Sequence, residues 1–398
     1  MKKILYICLA IILLLTTTSL ASTSFIWSDD SVYTSVTPTE EVNLNLESPS
    51  CILIEQTTGK ILYEKNSHEQ LRPASVTKVM SVLLIMEALD SGKISLTDKV
   101  PCSENASKMG GSQIWLDVRE ELTVDEMLKA ICVVSANDCT VAMAEFLAGS
   151  TEAFIEKMNA KARELGMKDT CFKNCHGLDE DGHVTSSYDI SLMSRELLQK
   201  HPTITKYTTI WTDTLRDGKS ELTNTNKLIR NYKGATGLKT GSTGLALYNL
   251  SASATKNDLS LIAVIMKAPS TKVRFAEAQK LLDYGFNNYS YIQFAKKGNR
   301  VKSVPVNKGV ESLVEVNYEQ DSGCLLPKGK ERNVEEIVNI PEYVNSPIQG
   351  GDKIGEVRYM LDGEQIGYTN LIAANTVKKI NLSNMFETVF FSWFRVLR

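Results

Sequence analysis

Three short polar motifs occur in one order along this chain, and a fold that uses them together must bring distant segments to one place. They are Ser75-Val76-Thr77-Lys78, then Ser135-Ala136-Asn137, then Lys239-Thr240-Gly241. The separations are about sixty and about one hundred residues, so all three lie within one domain-sized stretch. Together they supply a nucleophile, a base, a proton shuttle and a carboxylate anchor. This combination predicts serine acyl transfer without a catalytic histidine.

The first motif places a hydroxyl and an amine on one helical face. Ser75 and Lys78 are three residues apart, which puts them on the same side of a helix. Pro73 and Ala74 precede them, so we expect Ser75 in the first helical turn, where the helix dipole favours an alkoxide. The same field and burial lower the pKa of a lysine, which can then take the serine proton. The alternative for an isolated motif, an N-cap serine and a solvated lysine, is disfavoured by the other two motifs.

The second motif is predicted to lie on a loop between two helices. There the hydroxyl of Ser135 can relay a proton to a leaving amine, and the amide of Asn137 can bind a substrate backbone. The alternative is ordinary turn chemistry, since serine and asparagine are common in turns.

The third motif is predicted at the head of a β-strand, or on a strand that continues into it. Gly241 and Gly244 leave little side-chain cover around Lys239 and Thr240. An extended peptide can therefore lie along this edge as an added strand, with the lysine and threonine near a carboxylate. The alternative is a strand start with a solvated lysine.

The remaining patterns over residues 46–286 mix helices and strands, which predicts an α+β domain. Apolar runs at 51–55 and 60–63 predict one β-hairpin, and those at 245–254 and 259–266 predict another. Helices are predicted at 75–89, from the capping box at 123 to 134, and at 138–148, 151–165 and 273–286.

The two segments that follow this domain have different sequence patterns. Residues 291–379 alternate short β-type runs with turns, which predicts a small all-β domain without catalytic residues of its own. Residues 381–398 carry aromatic side chains at helical spacing and end in arginine, which predicts an amphipathic helix that anchors the protein at a membrane surface. A helix docked on the protein's own core is the alternative.

The N-terminus has the form of an export signal. A basic start, an apolar run and the small residues before Ala21 predict a signal peptide over 1–21, followed by a tether over 22–45. We therefore expect an exported protein on the extracytoplasmic face of the membrane. The net charge is −3 and no long basic run occurs, so nucleic-acid binding is not expected.

Seven cysteines would remain after signal cleavage, and their scatter selects no disulfide pair, although one disulfide is possible in an exported protein. Cys171, Cys175 and His176 do not have the spacing that attaches haem, and they match a zinc site poorly. We expect neither a metal nor another cofactor.

The motifs resemble those of the low-molecular-mass penicillin-binding proteins that are serine D-Ala-D-Ala carboxypeptidases. Further matching segments are 109–112, His176-Gly177-Leu178, Gly237–Gly241, and Arg274 ahead of a helix that ends in Tyr284-Gly285-Phe286. The resemblance covers nearly the whole mature chain. It implies a penicillin-binding/β-lactamase-like transpeptidase domain, with an antiparallel sheet and a helical subdomain. A small all-β domain and a C-terminal amphipathic helix would follow.

The resemblance also implies roles for individual residues. Ser75 would attack the carbonyl between two terminal D-alanines of a peptidoglycan stem peptide, with Lys78 as the base. Penicillin and other β-lactams would acylate the same serine. Ser135 and Lys239 would assist proton transfer to the leaving D-alanine, and Asn137 would orient the acyl part. Thr240 and Arg274, beside Gly241, would bind the terminal carboxylate. The backbone N–H groups of Ser75 and Ser242 would form the oxyanion hole.

Three alternatives remain beside the carboxypeptidase. A β-lactamase shares the motifs but adds a Glu-x-x-Leu-Asn segment between the second and third; here Glu41-Val42-Asn43-Leu44-Asn45 precedes Ser75 and is interpreted as coincidence. An endopeptidase for cross-linked peptides would share the acyl step. A non-catalytic cell-wall scaffold would share the fold. A Ser-His-Asp triad would need His176 or His183 beside Ser75, and we interpret His176 as part of a structural turn.

Overall fold

The computed structural model describes residues 42–381 of the 398-residue chain. The predicted signal peptide over 1–21, most of the tether over 22–45, and the predicted anchor helix over 381–398 except Asn381 lie outside the described residues. Among the residues that are described, no helix combines the length and the hydropathy that a membrane crossing requires.

An antiparallel five-stranded sheet forms the centre of the larger part of the fold. Its strand order is β2-β1-β9-β8-β7, so the strand that carries the third motif lies at an edge. The strands are β1 (Ser50–Glu55), β2 (Ile61–Lys65), β7 (Ala235–Thr243), β8 (Leu247–Lys256) and β9 (Leu259–Ala268). Two short antiparallel strand pairs are separate from it: β3 (Lys99–Pro101) with β4 (Glu121–Thr123), and β5 (Thr212–Leu215) with β6 (Ser220–Thr223).

Helices cover both faces of this sheet. The helices of this part of the fold are, in chain order, α1 (Lys78–Asp90), α2 (Glu104–Ser107), α3 (Val124–Val133), α4 (Asn137–Ala148), α5 (Thr151–Glu164), α6 (Ser187–Lys200), α7 (Thr205–Thr208), α8 (Leu228–Asn231) and α9 (Thr271–Asn288).

Local sequence signals set several of the helix ends. Thr123 accepts from the backbone N–H of Glu126 while the Glu126 carboxylate accepts from the Thr123 N–H, which completes the predicted capping box of α3. Gly149, at φ +85°, ends α4 in the left-handed conformation that glycine adopts without penalty. Ser270 caps the N-terminus of α9 through the backbone N–H of Val273.

Two apolar clusters pack on opposite faces of the sheet. Helices α1, α3, α4 and α5 bury the larger cluster against side chains such as Ile52 and Val264. Helix α9 buries the smaller cluster on the other face, where Leu281 packs with Leu53 and Leu261. Because alternate strand residues point to opposite faces, the period-2 pattern of the strands supplies both clusters.

The C-terminal part is all-β, as the sequence predicts. It contains a six-stranded sheet of order β14-β16-β17-β12-β11-β15 and a β10–β13 pair. The strands are β10 (Tyr289–Ala295), β11 (Arg300–Asn307), β12 (Leu313–Tyr318), β13 (Ser322–Pro327), β14 (Val334–Asn339), β15 (Val344–Asn345), β16 (Lys353–Leu361) and β17 (Glu364–Ala373). Its own core includes Val316, Val357 and Leu371.

The predicted α+β class and both predicted hairpins of the sheet are confirmed. The third motif differs in one respect, since it lies on a separate strand, β7, which pairs with β8 across a turn at residues 244–246. Helix α6 had no counterpart among the predicted elements, although Ser186 caps it by accepting from the N–H of Asp189. All seven cysteines of the described chain are free thiols, so the possible disulfide is not formed.

Candidate active site

The candidate nucleophile, Ser75, lies in a tight turn that leads into α1. Residues Ala74–Thr77 form one 3-10 turn, and the α-helix begins only at Lys78. Ser75 therefore lies in the first helical turn, as the sequence predicts, and that turn is a 3-10 turn rather than an α-helical one. Ala74 has φ +49°, a strained value for a residue with a side chain, and Ser75 is half-buried.

Lys78 is a fully buried lysine whose amine reaches this serine. Its Nζ donates to Ser75 Oγ at 3.1 Å, to Asn137 Oδ1 at 2.5 Å and to the His176 carbonyl oxygen at 2.7 Å. Burial, reinforced by the charge of Lys239, holds the pKa of Lys78 well below its usual 10.5. In its neutral form the same nitrogen can accept the Ser75 proton.

Ser135 places a buried hydroxyl in the loop between α3 and α4. The residue is 3% exposed, it has φ +68°, and its Oγ has no hydrogen-bond partner within residues 42–381. An unpaired buried hydroxyl costs about 1–3 kcal/mol, so it needs a compensating reason to persist. Strained backbone and an orphaned polar atom at one residue are typical of functional sites.

Asn137 joins a neighbouring loop to the lysine. It is the first residue of α4 rather than part of the loop before it, which corrects the predicted start of that helix by one residue. Its side-chain Nδ2 donates to the Gly110 carbonyl at 2.7 Å while Oδ1 accepts from Lys78. The amide orientation is thereby fixed by a donor on one side and an acceptor on the other.

Lys239 is a second buried lysine, on the edge strand β7. It is 4% exposed, and its Nζ donates to the carbonyl oxygen of Thr240 at 2.9 Å. Burial lowers the pKa of Lys239 to about 7, and the charge of Arg274 acts in the same direction. Two buried lysines with lowered pKa values, close enough for one to lower the pKa of the other, are the arrangement expected where protons are moved at neutral pH.

Two glycines allow the backbone to close around Ser75. A Cβ built on Gly241 would lie 2.8 Å from the Ser75 nitrogen and 2.8 Å from the Pro73 oxygen. A Cβ on Gly177, at φ +94°, would lie 1.9 Å from the Ala74 oxygen. Gly241 therefore lets β7 approach the nucleophile from one side, and Gly177 lets the predicted His-Gly-Leu turn approach from the other.

The predicted carboxylate-binding residues surround the same strand. Thr240 is buried and donates to the hydroxyl of Thr225 at 2.7 Å, whereas Ser242 is exposed. Arg274 is 6% exposed and donates through Nη1 to the carbonyl oxygens of Gly241 at 3.2 Å and Asn249 at 3.1 Å. Burial lowers the pKa of Arg274 to about 10.

Lys78 thus hydrogen-bonds both Ser75 and Asn137, and Gly241 lies close to the Ser75 backbone. The charge of Lys239 acts on Lys78. Sequence reasoning missed Thr225, because a lone threonine between asparagines carries no motif. The His176 ring is not bonded to Ser75; its Nδ1 accepts from the Leu178 N–H at 3.2 Å, and burial lowers its pKa to about 3.

No metal centre is present among the residues that the structure describes: no three of their histidine, cysteine, aspartate and glutamate side chains are arranged to hold an ion. The Glu-x-x-Leu-Asn segment begins at Glu41, which lies outside the described range. Leu44 within that segment packs on the smaller apolar cluster, on the face of the sheet away from α1.

A serine that is hydrogen-bonded to a buried lysine and lies against the edge strand of an α+β domain is the arrangement of the penicillin-binding serine acyltransferases. Two family profiles match the chain: "D-alanyl-D-alanine carboxypeptidase" over residues 35–270, and "Penicillin-binding protein 5, C-terminal domain" over residues 289–379. The chain belongs to the D-alanyl-D-alanine carboxypeptidase family of serine peptidases.

Individual relatives agree with this assignment. D-alanyl-D-alanine carboxypeptidase DacF of Bacillus subtilis (strain 168) is 45% identical over 87% of this chain and 90% of its own. Penicillin binding protein 5 from Haemophilus influenzae is 32% identical with a TM-score of 0.69, covering 87% of this chain and 100% of that one. Penicillin-Binding Protein D2 from Listeria monocytogenes, solved in an ampicillin-bound form, is 29% identical with a TM-score of 0.57, covering 62% and 100%.

Proposed function

We propose that this protein is a serine-type D-Ala-D-Ala carboxypeptidase that removes the terminal D-alanine from peptidoglycan stem peptides through an acyl-enzyme on Ser75. The observation that carries the proposal is the buried amine of Lys78, 3.1 Å from the Ser75 hydroxyl. The relative DacF carries the name of this activity, and the Listeria relative binds ampicillin. β-Lactams acylate Ser75 in the same way as the substrate.

In the acylation step, neutral Lys78 takes the Ser75 proton as Oγ bonds to the carbonyl carbon between the two D-alanines. The N–H groups of Ser75 and Ser242 bind the oxyanion, and one such donor contributes about 3 kcal/mol. The C–N bond then breaks, and the proton that Lys78 took passes through the Ser135 hydroxyl, assisted by Lys239, to the nitrogen of the leaving D-alanine, so that Lys78 is neutral again. A water then adds to the acyl carbon and gives one proton to Lys78, the bond between the acyl carbon and Ser75 Oγ breaks, and Lys78 returns that proton to Oγ as the shortened peptide leaves.

The substrate binds along β7 as an added strand. Thr240 and Arg274 hold its terminal carboxylate, and Asn137 orients the acyl part through its amide. Gly241 supports this geometry because only a residue without Cβ lets the strand lie against the Ser75 backbone. The unpaired hydroxyl of Ser135 supports its role, because a leaving amine gives it the partner that the resting site lacks.

The direct test is incubation with a peptide that ends in D-Ala-D-Ala, with and without penicillin, and measurement of released D-alanine. We expect release that penicillin blocks and that Ser75→Ala abolishes. Stoichiometric penicillin labelling, lost in Ser75→Ala, excludes the non-catalytic scaffold. Rapid penicillin turnover would instead identify a β-lactamase, and label that persists in Ser75→Ala would refute the nucleophile.

Comparison of terminal and cross-linked substrates separates carboxypeptidase from endopeptidase action. Arg274→Lys keeps a positive charge but not the guanidinium, so we expect a larger loss with a terminal D-Ala-D-Ala peptide than with a cross-linked one. Because both substrates meet the same altered fold, the ratio of their kcat/KM values removes any structural effect of the substitution. Equal losses would contradict the carboxylate role of Arg274.

The proposal includes the location of the enzyme. A signal peptide over 1–21 exports it, a tether over 22–45 precedes the catalytic domain over 46–286, and a β-domain over 291–379 follows. Residues 381–398 attach it peripherally to the extracytoplasmic membrane face through their aromatic side. Fractionation tests this: the full chain is expected with the membranes and a chain ending at residue 380 in the soluble fraction. A full chain that stays soluble would contradict the anchor.

A further inference from the structure

His183 is a buried histidine whose hydrogen bonds fix its tautomer. It is 2% exposed and lies beside the ring of Phe172, with ring centroids 5.9 Å apart. Its Nδ1 receives the backbone N–H of Lys173 at 2.9 Å. A backbone N–H can only donate, so Nδ1 is the acceptor and the single proton of the neutral ring is on Nε2.

A second hydrogen bond links the His183 ring to the turn that contains Ser75, and the tautomer of the ring fixes which atom donates. His183 Nε2 lies 2.8 Å from Thr77 Oγ1, and Thr77 Oγ1 donates to the carbonyl oxygen of Ala74 at 2.8 Å. Since Nε2–H must donate, the threonine hydroxyl accepts from the histidine and gives its only proton to Ala74. Thr77 is fully buried, so water does not compete with this chain of bonds.

The end of the chain is the peptide group that bears the Ser75 N–H. The carbonyl of Ala74 and the N–H of Ser75 belong to one planar trans unit, so fixing the direction of the oxygen fixes the opposite direction of the N–H. Ala74, the residue that contributes this carbonyl, has φ +49°, a strained conformation that a local restraint must maintain. Gly177 leaves room for the same carbonyl oxygen on its other side.

We propose that His183 and Thr77 are positioning residues that set the peptide plane of Ala74–Ser75 and thereby aim the Ser75 N–H at the oxyanion. This inference rests on the proposed function, in which that N–H stabilises the tetrahedral intermediate. The histidine therefore serves acyl transfer without touching the substrate. The relay is separate from the bonds of Lys78, which go to Ser75, Asn137 and the His176 carbonyl.

The test compares two nearly isosteric changes of Thr77 in the full chain. Thr77→Val keeps the shape but loses both bonds, and Thr77→Ser keeps the hydroxyl. Removing an oxyanion donor costs about 100-fold or more, so misdirecting one is expected to slow penicillin acylation by about tenfold or more in Thr77→Val. Thr77→Ser is expected to retain acylation within about threefold of the wild type, because a serine hydroxyl has the same donor and acceptor capacity.

Two readouts separate positioning from packing. The loss in Thr77→Val should fall on kcat for the D-Ala-D-Ala peptide and leave KM nearly unchanged, because the oxyanion exists only in the transition state. In a double-mutant cycle with His183→Phe, which keeps a ring but loses both hydrogen bonds, the second substitution should add little once Thr77 is valine. Additive effects, or equal acylation by folded Thr77→Val and Thr77→Ser, would overturn the proposal.

Folding is measured separately by thermal unfolding of each variant. If Thr77→Val does not fold, Thr77→Cys takes its place, because a thiol is a weaker donor than a hydroxyl and should acylate more slowly than Thr77→Ser. Equal rates for cysteine and serine would again refute the relay. A failure of the proposed function looks different, since Ser75→Ala would then still be labelled by penicillin whatever residue occupies position 77.

Discussion

The amine of Lys78 lies 2.5 Å from the side-chain oxygen of Asn137, as well as 3.1 Å from the Ser75 hydroxyl. The Asn137 amide is neutral, so it accepts a hydrogen bond from the Lys78 amine but does not stabilise the ammonium charge as a carboxylate would. Burial can then hold the pKa of Lys78 low, which a lysine that deprotonates serine requires.

Asn137→Asp is therefore expected to slow acylation at neutral pH while changing few atoms. A carboxylate beside the amine favours the ammonium form and raises the pKa of Lys78, so the rise of acylation rate with pH should move to higher pH. We expect about a tenfold loss or more at pH 7, since one pKa unit corresponds to a factor of ten in the neutral form. The measurement is the benzylpenicillin acylation rate between pH 6 and pH 10.

The charge control for this variant is Asn288→Asp, at an exposed position at the end of α9. It changes the net charge equally but is expected to leave the pH profile unchanged. A profile for Asn137→Asp that coincides with that of the wild type would contradict the role of the amide.

Ser135→Ala is expected to lower activity without lowering stability. The wild-type hydroxyl is buried and unpaired among the described residues, so its removal should leave the free energy of unfolding unchanged or raise it by about 1 kcal/mol. D-Alanine release should fall by about 100-fold or more if Ser135 relays the proton. Urea unfolding and D-alanine release give the two quantities.

Ser81→Ala provides the matched control. Ser81 is fully buried like Ser135, but its hydroxyl donates to the Cys175 carbonyl oxygen at 2.6 Å. Its removal leaves that oxygen unpaired and should destabilise the protein by about 1 kcal/mol or more. Equal stability changes in the two variants would show that the Ser135 hydroxyl is paired in solution.

Gly241→Ala is expected to abolish acylation, because the new Cβ would meet the backbone nitrogens of Ser75 and Val76 at 2.8 and 2.9 Å. Backbone atoms cannot move aside as the end of a side chain can, so β7 or the nucleophile turn must shift. Gly244→Ala lies on the same β-hairpin and has no atom within 4 Å of its Cβ. Penicillin labelling of both variants tests this, and normal labelling of Gly241→Ala would refute the close approach.

Acid should destabilise the fold through its buried histidines. Burial lowers the pKa of His183 to about 4 and that of His176 to about 3, from an ordinary 6.5. The folded state therefore rejects protons that the unfolded state binds. This stabilisation is complete above about pH 6.5 and is lost as the pH falls toward the folded values.

Urea unfolding at pH 7, 6 and 5 should show a falling free energy of unfolding. In His183→Gln the fall should be smaller, because one of the two groups no longer titrates. Arg72, Lys173 and Asp179 act electrostatically on the same ring and are unchanged in that variant. If the free energy of unfolding falls equally with pH in both proteins, then protonation of His183 does not destabilise the folded state, which would contradict the prediction.

Local signals determined much of what could be predicted. The capping box at Thr123 and Glu126 fixes the start of α3 through bonds within four residues. Asp-Gly is a pair typical of tight hairpin turns, and Asp362 and Gly363 both adopt positive φ between β16 and β17. Helix α6 was not predicted, although it has a capping serine. It is buried against β1 and β9, and these strands are far away in the sequence.

The sequence by itself determined the chemical groups: a serine and a lysine three residues apart, a Ser-x-Asn pair, and a lysine on a glycine-bordered strand. Tertiary structure alone decided their state. The pKa of Lys78 is low because the fold removes it from water and brings up Lys239 from a distant strand. The direction of the Ser75 peptide likewise depends on His183, which no motif connects to it. Burial and long-range contacts exist only in the folded chain, so they are not encoded in any short pattern.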